Sequence, residues 1–268
     1  MKTIHINRNN TNNIGDIKCS PKLYFNFFSN DAQIDILFRD SKNPFNWLDE
    51  IKLINSNIIV GGGGLLDRET FKKSIVRLLN NKKIKKKIIW GAGHNSKNLK
   101  INEKNILSIL NEFNLVGTRD YKFSKKNNFD FVPCVSCMDP VFDDNKTKII
   151  NEFGVIEHEH IPLNITSFPK LKNNSTFIDT INFIKQSDKM ITNSYHVMYW
   201  SILLNKKVVV VPNSSKFFDF IHTPKMINSI SDINLKNDFK NINFNALEDC
   251  RNQNLMFFKK VKNYLLNE

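Results

Sequence analysis

The chain has little cysteine, no long apolar run and no internal repeat, and each shortage narrows what it can be. Its four cysteines, Cys19, Cys134, Cys137 and Cys250, are too few and too scattered for a disulfide framework in 268 residues. No stretch approaches the roughly 18 apolar residues that a membrane-spanning helix needs. The opening Met1-Lys2-Thr3-Ile4-His5-Ile6 reads as a first strand and has no signal-peptide apolar stretch. These features predict a cytoplasmic protein with reduced thiols. The lack of a repeat period argues against a solenoid. The glycine-rich stretches lack both the Lys-Ser/Thr of a P-loop and the spacing of a dinucleotide fingerprint, so neither nucleotide-binding class is supported.

What is present suits a folded chain of two ordinary domains. Hydrophobic residues make up 41% and aromatic residues, mostly Phe, 11%, enough for real cores. The formal charge is +13, from 39 Lys and Arg against 26 Asp and Glu. An excess of that size favours anionic partners, although much of the Lys content reads as solvated surface. The run Lys82 to Lys87 lacks the interleaved aromatics of a base-stacking surface and reads as a solvated turn, so nucleic acid is not an expected partner.

Several short apolar runs end in Gly- or Asn/Ser-rich turns followed by amphipathic stretches. Ser56 to Val60 leads into Gly61-Gly62-Gly63-Gly64 and then a helical pattern from Leu65 to Leu79. Lys87 to Trp90 leads into Gly91-Ala92-Gly93-His94, and Phe113 to Val116 into Gly117-Thr118-Arg119-Asp120. The second half follows the same alternation, with a helix over Thr176 to Gln186 and a strand over Lys189 to Thr192. A helix over Ser194 to Leu204 and a strand over Lys207 to Val211 come next. Doubly buried strands alternating with helices predict parallel α/β layers. The polar stretch Asp143 to Thr147 splits the chain into residues 1–143 and 144–268, and Asn245 to Leu266 reads as a terminal helix.

In open parallel sheets ligands bind beyond the carboxyl ends of the strands, and the polar clusters fall there. Gly61, Gly62, Gly63 and Gly64 either line a site with their amides or make a tight strand-to-helix turn. Asn13 and Asp16 follow the first strand: the acid can take a proton from a hydroxyl, or the pair can cap a helix. Arg119 can clamp a carboxylate or phosphate, or pair internally with Asp120. Asn193, Ser194, Tyr195 and His196 occupy a strand-to-helix junction, where Ser194 can cap and His196 can donate a proton or bind an anion. Cys134 and Cys137 have half-zinc-site spacing, and His158 and His160 share a face of an expected strand; joining them requires distant pieces to meet, and no metal is expected.

Taken in order, these clusters resemble the polysaccharide pyruvyl transferase family. The matching pieces are NIGD (Asn13–Asp16), IIVGGGGLL (Ile58–Leu66), GAGHN (Gly91–Asn95), GTRD (Gly117–Asp120), PCVSCMDPVF (Pro133–Phe142) and TNSYHVMYWSILLNKKVVVVPNSSKF (Thr192–Phe217). The resemblance implies a GT-B-like fold: two Rossmann-type domains facing a cleft, with a terminal helix crossing between them, and the N-terminal one on the acceptor side. It implies pyruvyl transfer from phosphoenolpyruvate to two hydroxyls of a bacterial surface polysaccharide, or of its lipid-linked precursor at the inner membrane face, with no cofactor. The family's Arg-Asp motif falls on Arg119 and Asp120, and its Ser-x-His motif on Ser194 and His196, with His94 joining the substrate contacts. On that reading His196 is the general acid, Arg119 holds the donor and Asp16 takes the acceptor's proton. Val197 stands where family members often carry Gly. A GT-B glycosyltransferase using a nucleotide sugar would use the same strand ends.

Overall fold

The computed structural model describes residues 2–36, 47–97, 99–144, 147–239 and 245–267. The first half runs β1 (Thr3–Asn7), α1 (Ile14–Ile17), β2 (Ala32–Asp35), α2 (Trp47–Leu53), β3 (Ser56–Leu66), α3 (Glu69–Asn80), β4 (Ile84–His94), α4 (Glu103–Leu110), β5 (Leu115–Thr118), α5 (Tyr121–Lys126) and β6 (Asp130–Phe131). The second runs β7 (Asn151–Glu157), β8 (Lys170–Lys172), α6 (Phe177–Gln186), β9 (Ser187–Thr192), α7 (Tyr195–Leu203), β10 (Lys207–Val210), β11 (Lys225–Met226) and α8 (Ala246–Leu266).

Two fully parallel sheets result, ordered β2-β1-β3-β4-β5-β6 and β8-β7-β9-β10-β11. Each winds the same way. Its first strand lies inside, with the second strand on one side and the third on the other. Winding therefore reverses between β1 and β3, and again between β7 and β9. Such reversals leave a crevice beyond the strand ends, because the connections leave toward opposite faces. The inner strands are buried on both faces as a covered parallel sheet requires: every residue of β1 is buried, and so is the stretch Phe153 to Glu157 of β7. The arrangement is GT-B-like.

The two halves are clasped by the chain between them and by the last helix. All nine residues of α7 are buried, as its nearly continuous apolar sequence demands. Val197 is absorbed into the core that surrounds this helix. Tyr199 donates its hydroxyl to the Cys134 carbonyl (2.8 Å) and Trp200 its indole N–H to Ser136 Oγ (3.0 Å), so the PCVSC segment packs onto α7. Helix α8 begins in the same core with Ala246 and Cys250. It then crosses to the first sheet, where Phe257 and Val261 meet Phe25, Ile88 and Trp90. Among the described residues no helix is long and apolar enough to cross a membrane.

Several local expectations change in three dimensions. The four glycines do not open a helix: β3 carries on through them to Leu66, with Gly61 beside Trp90 and Gly63 beside Ala92, and α3 starts only at Glu69. Gly62 has φ +68°, and a Cβ there would lie 2.0 Å from Cys19 Cβ, so neither the conformation nor the space admits a side chain. In the same way β4 runs on through Gly91 to His94. Strand β7 ends at Glu157, placing His158 and His160 in the loop after it. Ser194 holds the N-cap position of α7 but its side chain makes no cap bond. The lysine run is not a solvated turn, since β4 begins at Ile84 and the ammonium groups of Lys86 and Lys87 bond to the carbonyls of Tyr264 and Leu79.

Candidate active site

Both reversal points open on one cavity of about 920 Å³. From the first sheet come the loop after β1 (Arg8, Asn10 to Asn13), Asp16 on α1, and Gly62 and Gly64 at the end of β3. From the second come His158 to Ile161 after β7, and Ser194, Tyr195 and His196 at the start of α7. The Asn13 side chain accepts from the Gly15 amide (3.1 Å), which fixes the turn that presents Asp16. Asp16 Oδ2 stands 3.9 Å from Arg8 Nη1.

The lining is strongly cationic. Arg8, Arg68, Lys97, Arg119 and Lys216 face Asp16 and Glu159. Arg119, projecting from the end of β5, is only 1% exposed, and its guanidinium lies 4.2 Å over the Tyr195 ring. Burial opposes its charge, but the Tyr195 hydroxyl and Asp120 outweigh burial and hold its proton more firmly than usual. Its Nε and Nη1 find no acceptor among the described residues, and neither does Arg8 Nε. Buried donors are almost always paired in folded proteins, so unpaired guanidinium N–H groups on a cavity wall point to an anionic ligand. Half-buried Lys216 has its pKa lowered to about 7 by burial and by the charges of Arg119 and Arg68.

His196 sits where α1 and α7 meet. Gly15 makes room for it: a Cβ at that position would lie 2.0 Å from His196 Nδ1. Its Nε2 lies 3.3 Å from Cys19 Sγ, which is itself 3.5 Å from Cys134 Sγ. Cys19 Sγ also lies 2.9 Å from the Gly15 carbonyl oxygen. The hydrogen bond from Cys19, and then His196, holds the Cys134 thiol well below the ordinary thiol range, while Cys19 is pushed up.

Of the residues singled out by sequence, Asn13, Asp16, Gly62, Gly64, Arg119, Ser194, Tyr195 and His196 share this cavity. Gly61, Gly63, His94, Asp120 and Asn193 are not on its wall. Asp120 accepts from the His94 amide (2.7 Å), His94 Nδ1 meets Ser215 Oγ (2.8 Å), and His94 Nε2 stands 3.7 Å from both Asp120 and Asp219. This buried network ties the first half to the second. Asn193 bonds to the His158 amide and the Ile161 carbonyl, shaping the loop after β7. Cys137 contacts Asn254 instead of joining Cys134 and the loop histidines; the ligand types that converge among the described residues are Cys19, Cys134 and His196. Sequence reasoning missed Arg68, Lys97 and Lys216 as site residues. Arg68 follows the end of β3 by two residues and Lys216 closes the PNSSK turn after β10, so strand-end position was the available signal.

The profile of the polysaccharide pyruvyl transferase family matches residues 6–215, more than half of the chain and nearly all of the cavity wall. The chain belongs to the polysaccharide pyruvyl transferase family. No curated protein matches it in sequence. Membership makes it a transferase of polysaccharide biosynthesis. The matched span ends at Ser215, one residue short of Lys216, and leaves out α8.

Proposed function

We propose that this transferase moves the pyruvyl group of phosphoenolpyruvate onto two hydroxyls of a sugar in a surface polysaccharide or its lipid-linked precursor, forming a cyclic ketal. The observation that carries the reading is the set of unpaired guanidinium donors on Arg119 and Arg8, in one cavity with Arg68 and Lys216. Phosphoenolpyruvate has a phosphate and a carboxylate to fill them. Arg8, Arg68 and Arg119 all belong to the first half, which favours the donor there. The acceptor then lies against Asn173, Asn174 and His160, reversing the expectation that the first half holds it.

In this scheme His196 protonates the methylene carbon and leaves the adjacent carbon electrophilic. A sugar hydroxyl attacks that carbon and gives its proton to Asp16. Phosphate departs with its oxygens held by the arginines and Lys216, and the second hydroxyl closes the ketal as its proton restores His196. Incubation with phosphoenolpyruvate and lipid-linked glycan intermediates should release inorganic phosphate and add one pyruvate ketal by mass. Thermal protection by a nucleotide sugar, with none by phosphoenolpyruvate, would favour the glycosyltransferase reading instead.

A further inference from the structure

The geometry points to a site for one thiophilic divalent cation of the zinc class, held by Cys19 Sγ, Cys134 Sγ and His196 Nε2. The three residues come from distant parts of the chain: the turn after α1, the segment between the halves, and the first turn of α7. Their ligand atoms all lie within 4.8 Å of one another, with Cys19 Sγ 3.5 Å from Cys134 Sγ and 3.3 Å from His196 Nε2. In a tetrahedral zinc site, bonds of about 2.3 Å to sulfur place two thiolates roughly 3.7 Å apart, so the spacing needs only a small expansion. Imidazole nitrogen at about 2.0–2.1 Å completes three corners and leaves the fourth open. His196 is the ligand that borders the cavity, so the open corner and the path of entry lie on that side.

Charge favours the same occupant. A dication in a site this buried must be neutralised by its ligands. On binding, Cys19 gives up its thiol proton to solvent, and two thiolates with a neutral imidazole cancel the charge. Two thiolates and one imidazole are soft ligands that select zinc or cadmium over magnesium or calcium. Backbone fixes the ligands in place. Gly15 packs on the His196 ring, Gly62 leaves space for Cys19, and the Cys134 segment is pinned by Tyr199. Cys137 and Cys250, the other two thiols, are not part of the group.

The test uses the full-length protein, reduced with a phosphine and stripped with chelator, and cadmium chloride as the optical probe. A thiolate-to-cadmium charge-transfer band should rise to one equivalent per chain, and zinc should displace it. Cys19→Ser and Cys134→Ser should each weaken binding by roughly a hundredfold or more, taking ligand loss as the removal of a strong first contact. Cys137→Ser and Cys250→Ser should leave it unchanged. Should a serine variant unfold, the wild type still decides: zinc must shield Cys19 and Cys134, but not Cys137, from alkylation read by mass spectrometry after denaturing quench. No charge-transfer band, a band that survives in both variants, or equal alkylation with and without zinc overturns the site. The cation would also occupy the ring nitrogen of the proposed acid, so zinc should inhibit pyruvyl transfer; that arm rests on the function proposed above. Binding without inhibition keeps the metal site and removes His196 as the acid.

Discussion

Arg119 keeps a full charge at 1% exposure, stacked on a buried tyrosine with two N–H directions unused. A lysine there keeps the charge but loses the planar fork and the stacking. Arg119→Lys should therefore raise the KM for phosphoenolpyruvate at least tenfold, about 1.4 kcal/mol, with a smaller change in kcat. Phosphate-release kinetics will read this, and an unchanged KM would remove the donor from this wall. Lys216 makes a pH prediction. Its pKa of about 7 leaves it charged below neutrality and neutral above, so kcat/KM for the donor should fall as pH rises through that value. Lys216→Met should flatten that limb of the profile. His196→Ala should lower turnover by roughly a hundredfold or more if the ring is the acid, and His196→Gln should restore donor binding but little rate. Variants that change only the melting temperature would mark it as structural.

At the scale of elements, the site depends on two strand-end loops and a short helix that could not hold their shape alone. Four-residue α1 owes its place to the Asn13 cap and to Gly15 lying against His196. Gly15→Ala should push the imidazole aside and cost activity well beyond any loss of stability. A circular dichroism melt beside a turnover assay separates the two. The strand ends of β4 and β5 carry His94 and Asp120, and their network with Ser215 and Asp219 gives a stability signature. Burial opposes the His94 charge, but Asp120 and Asp219 outweigh burial and raise its pKa above the ordinary value. Its contribution to stability is thus complete below the unfolded value of roughly 6.5 and is lost as pH climbs through the folded one. The melting-temperature gap between wild type and His94→Asn should be wider near pH 6 than near pH 8.5. A gap that widens toward alkaline pH would refute the linkage.

The whole molecule is held together by buried polar contacts as well as by its cores. Asn254 on α8 accepts from the Trp90 indole (3.0 Å) and donates to the Pro133 and Cys250 carbonyls, linking the first sheet, the connecting segment and the last helix. Asn254→Ala leaves the Trp90 N–H buried without an acceptor, at a cost of about 1–3 kcal/mol. A urea titration should show that loss as a lower midpoint. Arg251 reinforces the clasp through the Cys137 carbonyl and Asp143. Helix α8 is one of the ties that hold the two halves around the cavity, so Asn254→Ala should also weaken donor binding modestly. Donor affinity unaffected by a clearly destabilised clasp would show that the halves keep their register without it.

Local pattern was enough to read the parallel sheets, the terminal helix and the strand-end position of Arg119 and His196. Strands buried on both faces must be apolar throughout, and ligand loops must follow them, so both facts are written in short stretches of chain. Asn13, Asp16, Gly62 and Gly64 were legible for the same reason. Tertiary structure alone decided which polar residues face the cavity and which turn away. His94, Asp120 and Asn193 occupy strand ends as good as that of Arg119, yet buried partners elsewhere claim their polar atoms. Lys216 gains its low pKa from burial at the cleft and from Arg119 and Arg68, distant in sequence, which converge on it there. Cys134 and His196 stand 115 and 177 residues from Cys19 along the chain, and no spacing rule joins the three. Such groupings arise when two separately wound sheets close on each other, because contact across the cleft depends on packing and not on any local period.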